Sequence, residues 1–242
     1  LAAQADNGIK VEANIVTTDG AIRFDGDTDN GSDTLDTVSF TDSRTLKAKS
    51  VLTLVSTTSG MVNAGSLSLV AGSGIQLHSS MTGTLFNKAV VFNSDFDSAG
   101  DGTLTVSAMK TVNSNNGAIV ITSWDIDLSG GLQVGTMAIS IHGSQSSQTI
   151  GLGSTPKDMT IAGAELSRVS AEGGVQVGNF VSGSMMVNGV SAASSRNMAC
   201  LVTLVADKDD AQVTFVTAGS TFHSLAAQAD NGIKVEANIV TT

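Results

Sequence analysis

GAIVITSWDIDLSGGLQVG, residues 117–135, is the stretch that decides the fold. Its apolar side chains recur at about every second position, and the alternation slips by one residue at Ser123. Alternation of this kind is typical of strands with one buried face, and a one-residue slip lets a strand turn a corner. The stretch therefore predicts short strands that wrap around a narrow core. The apolar positions are Ile119, Ile121, Trp124, Ile126, Leu128, Leu132 and Val134.

The composition of the 242 residues indicates an all-β protein. Hydrophobic residues make up 41% of the chain, but only 4% are aromatic, so a core must be built mainly from Val, Ile and Leu. These residues occur in short runs that the 26 glycines and many Asn, Asp and Ser residues separate. Such punctuation favours strands and tight turns over amphipathic helices. A sandwich, a barrel or a solenoid would each fit this length as one domain.

The chain also ends with the sequence that begins it. LAAQADNGIKVEANIVTT occupies residues 1–18 and again residues 225–242, which marks a repeat unit of 224 residues. A fixed long period is typical of arrays of stacked units. We therefore predict one continuous solenoid over residues 1–242, a segment of a longer repetitive rod. The two copies should share one conformation and be related by a translation along the rod axis with some rotation.

Finer predictions follow from the strand pattern. The alternation of Ile9, Val11, Ala13 and Ile15 predicts one strand over GIKVEANIV, residues 8–16. Residues 22–40 align loosely with residues 91–108, which indicates a shorter repeat inside the long one. Coils of roughly 20 residues would give about ten or eleven coils per unit, and an axial rise on the order of 50 Å at the strand spacing of ~4.8 Å.

Two segments resemble the repeat region of filamentous-haemagglutinin-type exoproteins and of giant β-strand-repeat surface proteins. The match covers about residues 100–190. The resemblance implies a right-handed parallel β-helix that forms long rods in an extracellular or cell-surface location. The matching residues are Gly117, Ile119, Ile121, Thr122, Asp125, Ile126, Asp127, Leu128, Gly130, Thr149, Ile150, Leu152, Gly153, Ala164, Glu165, Leu166, Arg168, Val169, Val175, Val177 and Gly178.

The charge of the chain limits its partners. The formal net charge is −10, and the 12 Lys and Arg residues are scattered. Nucleic acid and anionic membranes need a basic face, so neither is an expected partner. No apolar run reaches the ~18–20 residues of a membrane-spanning helix. The expected partner is a neighbouring repeat unit, with a glycan or cell-surface partner as a further possibility. Cys200, the single cysteine, is expected to be a small buried residue, the alternative being an interchain thiol.

An Asp-rich segment, DGDTDNGSDTLD at residues 25–36, is the candidate calcium loop. Asp25, Asp27 and Asp29 stand at alternate positions and Asp36 at the twelfth, an imperfect echo of the EF-hand loop. The alternative is an Asp-rich turn in which the side chains bind their own backbone. Calcium is the only cofactor that the sequence suggests. A second, weaker candidate comprises Asn93, Asp95, Asp97 and Asp101, and Asn30 begins the only N-glycosylation sequon.

Catalytic patterns are weak, and we predict no catalytic residue. Asp125 and Asp127 alternate with apolar neighbours, so both should point outward from one strand. The three histidines have no metal-ligand spacing, and no G-x-S-x-G motif occurs. The sequence thus favours a non-catalytic unit of a filament. One alternative is the stalk of a surface adhesin that presents a binding tip. A carbohydrate-active β-helix enzyme is the other, and it would need carboxylates clustered on one face.

Overall fold

The computed structural model describes residues 1–198 and 200–242, and it shows a parallel β-helix. Every strand pairing among the described residues is parallel, and short strands follow one another around a common core. This confirms the predicted all-β solenoid. Neither helix of the described chain is long and apolar enough to span a membrane.

Each of the first six coils contributes three strands. These are β1 (Ala2–Gln4), β2 (Ile9–Val11), β3 (Ile15–Val16), β4 (Ile22–Asp25), β5 (Val38–Phe40), β6 (Arg44–Ala48), β7 (Leu52–Val55), β8 (Met61–Asn63), β9 (Leu67–Ala71), β10 (Ile75–Leu77), β11 (Met81–Gly83), β12 (Val90–Asn93), β13 (Thr103–Val106), β14 (Thr111–Asn113), β15 (Ile119–Ser123), β16 (Asp125–Leu128), β17 (Gly131–Gln133) and β18 (Ile139–Gly143).

The later coils are less regular, and two of them include a one-turn helix that the sequence reading did not predict. Their elements are β19 (Ile150–Gly153), β20 (Met159–Ile161), α1 (Gly163–Leu166), β21 (Val169–Ser170), β22 (Val175–Asn179), β23 (Met185–Asn188), α2 (Ala192–Ser195), β24 (Leu201–Ala206), β25 (Val213–Phe215), β26 (Ser220–Phe222), β27 (Ser224–Ala229), β28 (Ile233–Val235) and β29 (Ile239–Thr241).

The strands stack into three faces of the helix. Face 1 begins with the sheet β1-β4-β7-β10-β13-β16 and continues with the sheet β20-β19-β23-β25-β28. Face 2 begins with β2-β5-β8-β11-β14-β17-β21 and ends with the pair β26-β29. Face 3 is one uninterrupted sheet of nine strands, from β3 through β6, β9, β12, β15, β18, β22 and β24 to β27.

The core lies inside these faces, because alternate residues of each strand point inward and stack in register on those of the next coil. One such column runs along face 3 from the first coil to the ninth. It consists of Ile15, Leu46, Leu69, Phe92, Ile121, Ile141, Val177, Leu204 and Ala227. The aliphatic composition that the sequence required is therefore distributed as continuous ladders, which bury apolar area along the full length of the solenoid.

Two predictions about corners had different outcomes. The slip at Ser123 does mark a corner, because β15 on face 3 ends there and β16 on face 1 begins at Asp125. The prediction of one strand over residues 8–16 was wrong. That segment forms β2 and β3 on two faces, and Ala13 lies exposed at the corner between them. Alternation continued through the corner, so periodicity alone could not locate it.

The predicted number of coils was also wrong. Successive coils begin on face 1 at residues 2, 22, 52, 75, 103, 125, 150, 185, 213 and 233, so one coil takes between 20 and 35 residues. The unit from β1 to β27 therefore makes eight turns and two thirds of a ninth, rather than ten or eleven turns. Loops at the corners, such as residues 26–37, lengthen the coils without adding strands.

Candidate functional site

The two copies of the repeated segment adopt the same local structure. In the first copy the strands are β1, β2 and β3, and in the second the same residues form β27, β28 and β29. Gly8 and its copy Gly232 both have a φ of 84°, so the turn before the second strand is also the same. A left-handed φ of this kind is readily adopted by glycine. The predicted identity of conformation is confirmed.

The copies differ in which side is covered. The first copy pairs with β4, β5 and β6, which follow it, and the second pairs with β24, β25 and β26, which precede it. On one side, Ile9 and Val11 face Val38 and Phe40 of β5. On the other, their copies Ile233 and Val235 face Val213 and Phe215 of β25. One strand sequence thus accepts a Val-x-Phe strand on either side in the same register.

Exposure of the apolar side chains follows from this pairing. Val11 is 3% exposed, whereas its copy Val235 is 59% exposed because no coil follows it. Leu1 shows the opposite, since it is 57% exposed while its copy Leu225 is half-buried against the core. Each copy covers apolar surface that the other leaves open.

The repeat changes face. The AAQ strand lies on face 1 in the first copy and on face 3 in the second. The following IKV strand moves from face 2 to face 1, and the last strand moves from face 3 to face 2. The predicted rotation between the copies therefore amounts to one face of a three-faced helix.

The Asp-rich loop between β4 and β5 brings together a set of carboxylates different from the one predicted. Oxygens of Asp6, Asp29 and Asp33 lie within 4.8 Å of one another, and of these only Asp29 belonged to the predicted set. The negative charge of Asp29 raises the pKa of the Asp6 carboxyl. Asp25 instead binds Arg23, with Nη2 and Oδ2 2.8 Å apart. Asp6 lies one coil before the loop, so sequence spacing gave no sign of its part.

Two further aspartates of this loop are buried. Asp27 accepts the amide N–H of Thr58 in the next coil at 2.6 Å, through Oδ2. Asp36 accepts the amide N–H of Asp33, also through Oδ2. The Oδ1 atoms of both residues are buried and have no hydrogen-bond partner among the described residues. The predicted calcium binding stays a prediction, but these atoms locate unused acceptors in the loop.

The second Asp-rich loop, between β12 and β13, is satisfied internally. Buried Asp95 accepts the amide N–H groups of Ala99 and Gly100 at 3.1 Å each and the Ser144 hydroxyl. Asp97 pairs with Lys49 at 2.9 Å. Asp101 completes a group of three carboxylates with them, and the Oδ1 of Asn93 is buried without a partner. Turn capping describes most of this loop.

Carboxylates also bridge the interruption of face 1 between β16 and β20. Asp125 accepts the Thr160 amide N–H at 2.9 Å, and Glu165 accepts the amide N–H groups of Leu128 and Ala162 at 3.0 and 2.8 Å. Arg168 donates to the Leu128 carbonyl at 2.9 Å. The side chains thus replace the missing backbone ladder. Asp127 is exposed, as predicted, but Asp125 is half-buried, because β20 and α1 cover the outer side of β16.

This bridge predicts a pH dependence of stability. Burial raises the pKa of the carboxyls of Glu165 and Asp125. A folded-state pKa above the unfolded value favours folding at low pH, and this contribution is lost as the pH rises through the folded-state pKa. We therefore expect the melting temperature of the wild type, relative to that of Glu165→Gln, to fall as the pH rises from about 4 to 7. A difference that is constant or grows with pH would contradict this.

Other residues singled out by the sequence do not converge. His78 bonds Ser107 between Nδ1 and Oγ at 2.8 Å, His142 is half-buried beside Thr122, and His223 lies in a groove with Arg196 in a later coil. Cys200 is buried, in agreement with the expected packing role. Asn30 lies exposed at the surface of the Asp-rich loop, and its glycosylation stays a prediction.

Comparison with known proteins adds no relative. No family model, no characterised protein and no solved structure matches this chain. The functional argument therefore rests on the repeated segment, the carboxylate groups and the packing described above.

Proposed function

We propose that this chain is a non-catalytic structural repeat unit of a long extracellular or cell-surface filament, built by end-to-end stacking of β-solenoid units. The observation that carries the proposal is the repeated segment, which has one conformation in two places and is covered from opposite sides. The resemblance to haemagglutinin-type and giant surface-protein repeats supports the extracellular location. It also supports a partnership between neighbouring units.

The junction between two tandem units can be read from the two copies together. When the second copy of one unit serves as the first copy of the next, β24, β25 and β26 cover it on one side and β4, β5 and β6 cover it on the other. On face 3 of the first unit, the small side chain of Ala227 would stand between Leu204 and the next unit's Phe24. This alternation of large and small side chains suits a close-packed core.

The junction would bury the apolar side chains that each end leaves open. Val235 would become as buried as Val11, and the copy of Leu1 would keep the cover that Leu225 has. Fully burying a Val or Leu side chain contributes about 1.5–3 kcal/mol. Stacking also pairs the free N–H and C=O groups of the terminal strands, which otherwise invite aggregation. Stacking is thus favoured by both apolar contacts and backbone hydrogen bonds.

The length of tandem proteins tests the proposal. A two-unit protein would consist of residues 1–242 followed by a second copy of residues 19–242, and a three-unit protein would add those residues once more. At ~4.8 Å per coil, each added unit should lengthen the rod by about 40 Å, as measured by small-angle scattering or electron microscopy. Units that fold as separate beads, or that pack side by side, would overturn the proposal.

A pair of valine variants controls for the seam. In the two-unit protein, Val235→Asp places a charge inside the junction, whereas Val240→Asp places the same charge on its outer surface, since the copy Val16 stays 60% exposed even under β6. An unpaired buried charge is strongly destabilising. We expect Val235→Asp to break or bend the rod at its middle and Val240→Asp to leave it straight. Equal behaviour of the two variants would show that the seam does not carry the stacking.

A further inference from the structure

The carboxylate group at the first Asp-rich loop lacks a counter-charge. The side chains of Asp6, Asp29 and Asp33 are exposed and within ligand distance of one another. Within residues 1–198 and 200–242, no Lys or Arg nitrogen forms an ion pair with them, whereas Asp97 of the second loop has Lys49. Like charges held this close repel each other unless a cation lies between them.

A buried acceptor beside this group has no partner. Asp36 is fully buried, and its Oδ2 binds the amide of Asp33, so its carboxylate lies next to that member of the group. Its charge also acts on the carboxyl of Asp6, as do those of Asp29 and Asp33. The Oδ1 of Asp36 is nevertheless left without a hydrogen bond among the described residues. A buried polar atom without a partner is costly, and a bound cation is one way to satisfy it.

We propose that a calcium-type divalent cation binds between the turn at Asp6 and the loop 26–36, with Asp6, Asp29 and Asp33 as outer ligands and Asp36 as the inner one. All the donors are oxygens, which are the ligands of hard cations. Calcium fits better than magnesium because it accepts six to eight oxygens in flexible geometry, and the ligands here come from two separate turns. The cation would tie the first coil to the second.

The position of Asp6 gives the site a place in the proposed filament. Its copy Asp230 accepts the amide N–H of Asp210 at 3.0 Å, so the same turn also contacts the coil that precedes it. In tandem units, a clause that rests on the proposed function, Asp6 of each following unit would stand where Asp230 stands. The cation would then sit at every junction, beside the last coils of the preceding unit.

The 242-residue chain itself tests the cation site, whether or not units stack. After treatment with chelator, calcium should raise the melting temperature of the wild type by about 5–10 °C at roughly a hundred times its Kd. The double variant Asp29→Asn/Asp33→Asn should lose this shift. The control Asp19→Asn/Glu172→Gln removes the same charge at exposed positions and should keep it.

Calorimetric titration gives a second readout. We expect one calcium ion per chain for the wild type and the control, and weaker binding of magnesium. No shift and no binding in the wild type would overturn the proposal, as would an equal shift in the double variant, because that would indicate a general charge effect. Circular dichroism of the double variant checks that it retains the β-helix, and the calorimetric stoichiometry of the wild type decides the question if it does not. Failure here would leave the rod-length experiment unaffected.

Discussion

Replacing Phe92 with alanine is expected to lower the free energy of unfolding by about 3–5 kcal/mol, the largest effect we predict for a single residue. Phe92 is fully buried on face 3, where it stacks between Leu69 and Ile121. Removal of the ring leaves a cavity that these two neighbours cannot fill. Melting followed by circular dichroism should show the midpoint lowered by about 10 °C or more.

Two comparisons make this prediction specific. Phe86→Ala removes the same ring six residues earlier, where Phe86 is 68% exposed, and should change the stability by no more than about 0.5 kcal/mol. Phe92→Leu keeps most of the volume and matches its aliphatic neighbours, so its cost should stay below about 1.5 kcal/mol. Equal losses for Phe86→Ala and Phe92→Ala would mean that the column on face 3 is not what stabilises the coil. Because a coil contacts only its neighbours, a separate early transition would also support the prediction.

The second large effect is expected at the bridge over the interruption of face 1. Glu165→Ala removes the acceptor of two backbone amides, of which that of Leu128 belongs to a fully buried residue. A buried donor left without an acceptor costs about 1–3 kcal/mol. Relief of the carboxylate's own burial offsets part of this loss, so we expect a net decrease of about 2–3 kcal/mol in the free energy of unfolding.

The measurement is urea unfolding at neutral pH, with Glu172→Ala as the control. Glu172 is exposed, so its replacement should have little effect. Glu165→Gln retains one carbonyl acceptor and should lie between the two. If Glu165→Ala is no less stable than Glu172→Ala, the bridge does not hold β16 to the coil above it.

Much of the fold could be predicted because a solenoid repeats its local rule. The alternation around Ile121 and Ile126 specifies inward and outward positions, and the slip at Ser123 specifies a corner. At Ala13 the same rule failed, because the alternation ran on through a turn. Coil number failed for a related reason, since a loop as long as residues 26–37 has no periodicity from which its path could be read.

The candidate sites were less predictable because their members come from different coils. The predicted calcium ligands were neighbours in sequence, but Asp6 joins Asp29 across a complete turn of the helix. Likewise Glu165 and Leu128 are 37 residues apart. The resemblance had singled out both segments without indicating that one closes over the other. Contacts between coils depend on loop lengths, and those lengths were what the sequence left open.

The shift of the repeated segment by one face has a consequence for what a filament of such units would present to its surroundings. If each unit ends two thirds of a turn past a whole number of coils, a given surface residue points in a new direction in each of three successive units and returns to its first direction in the fourth. An exposed side chain such as Phe180 would then recur along one side only about every 120 Å, at ~4.8 Å per coil. The filament would offer the same contacts to every side, and identical patches would never adjoin in one unbroken stripe.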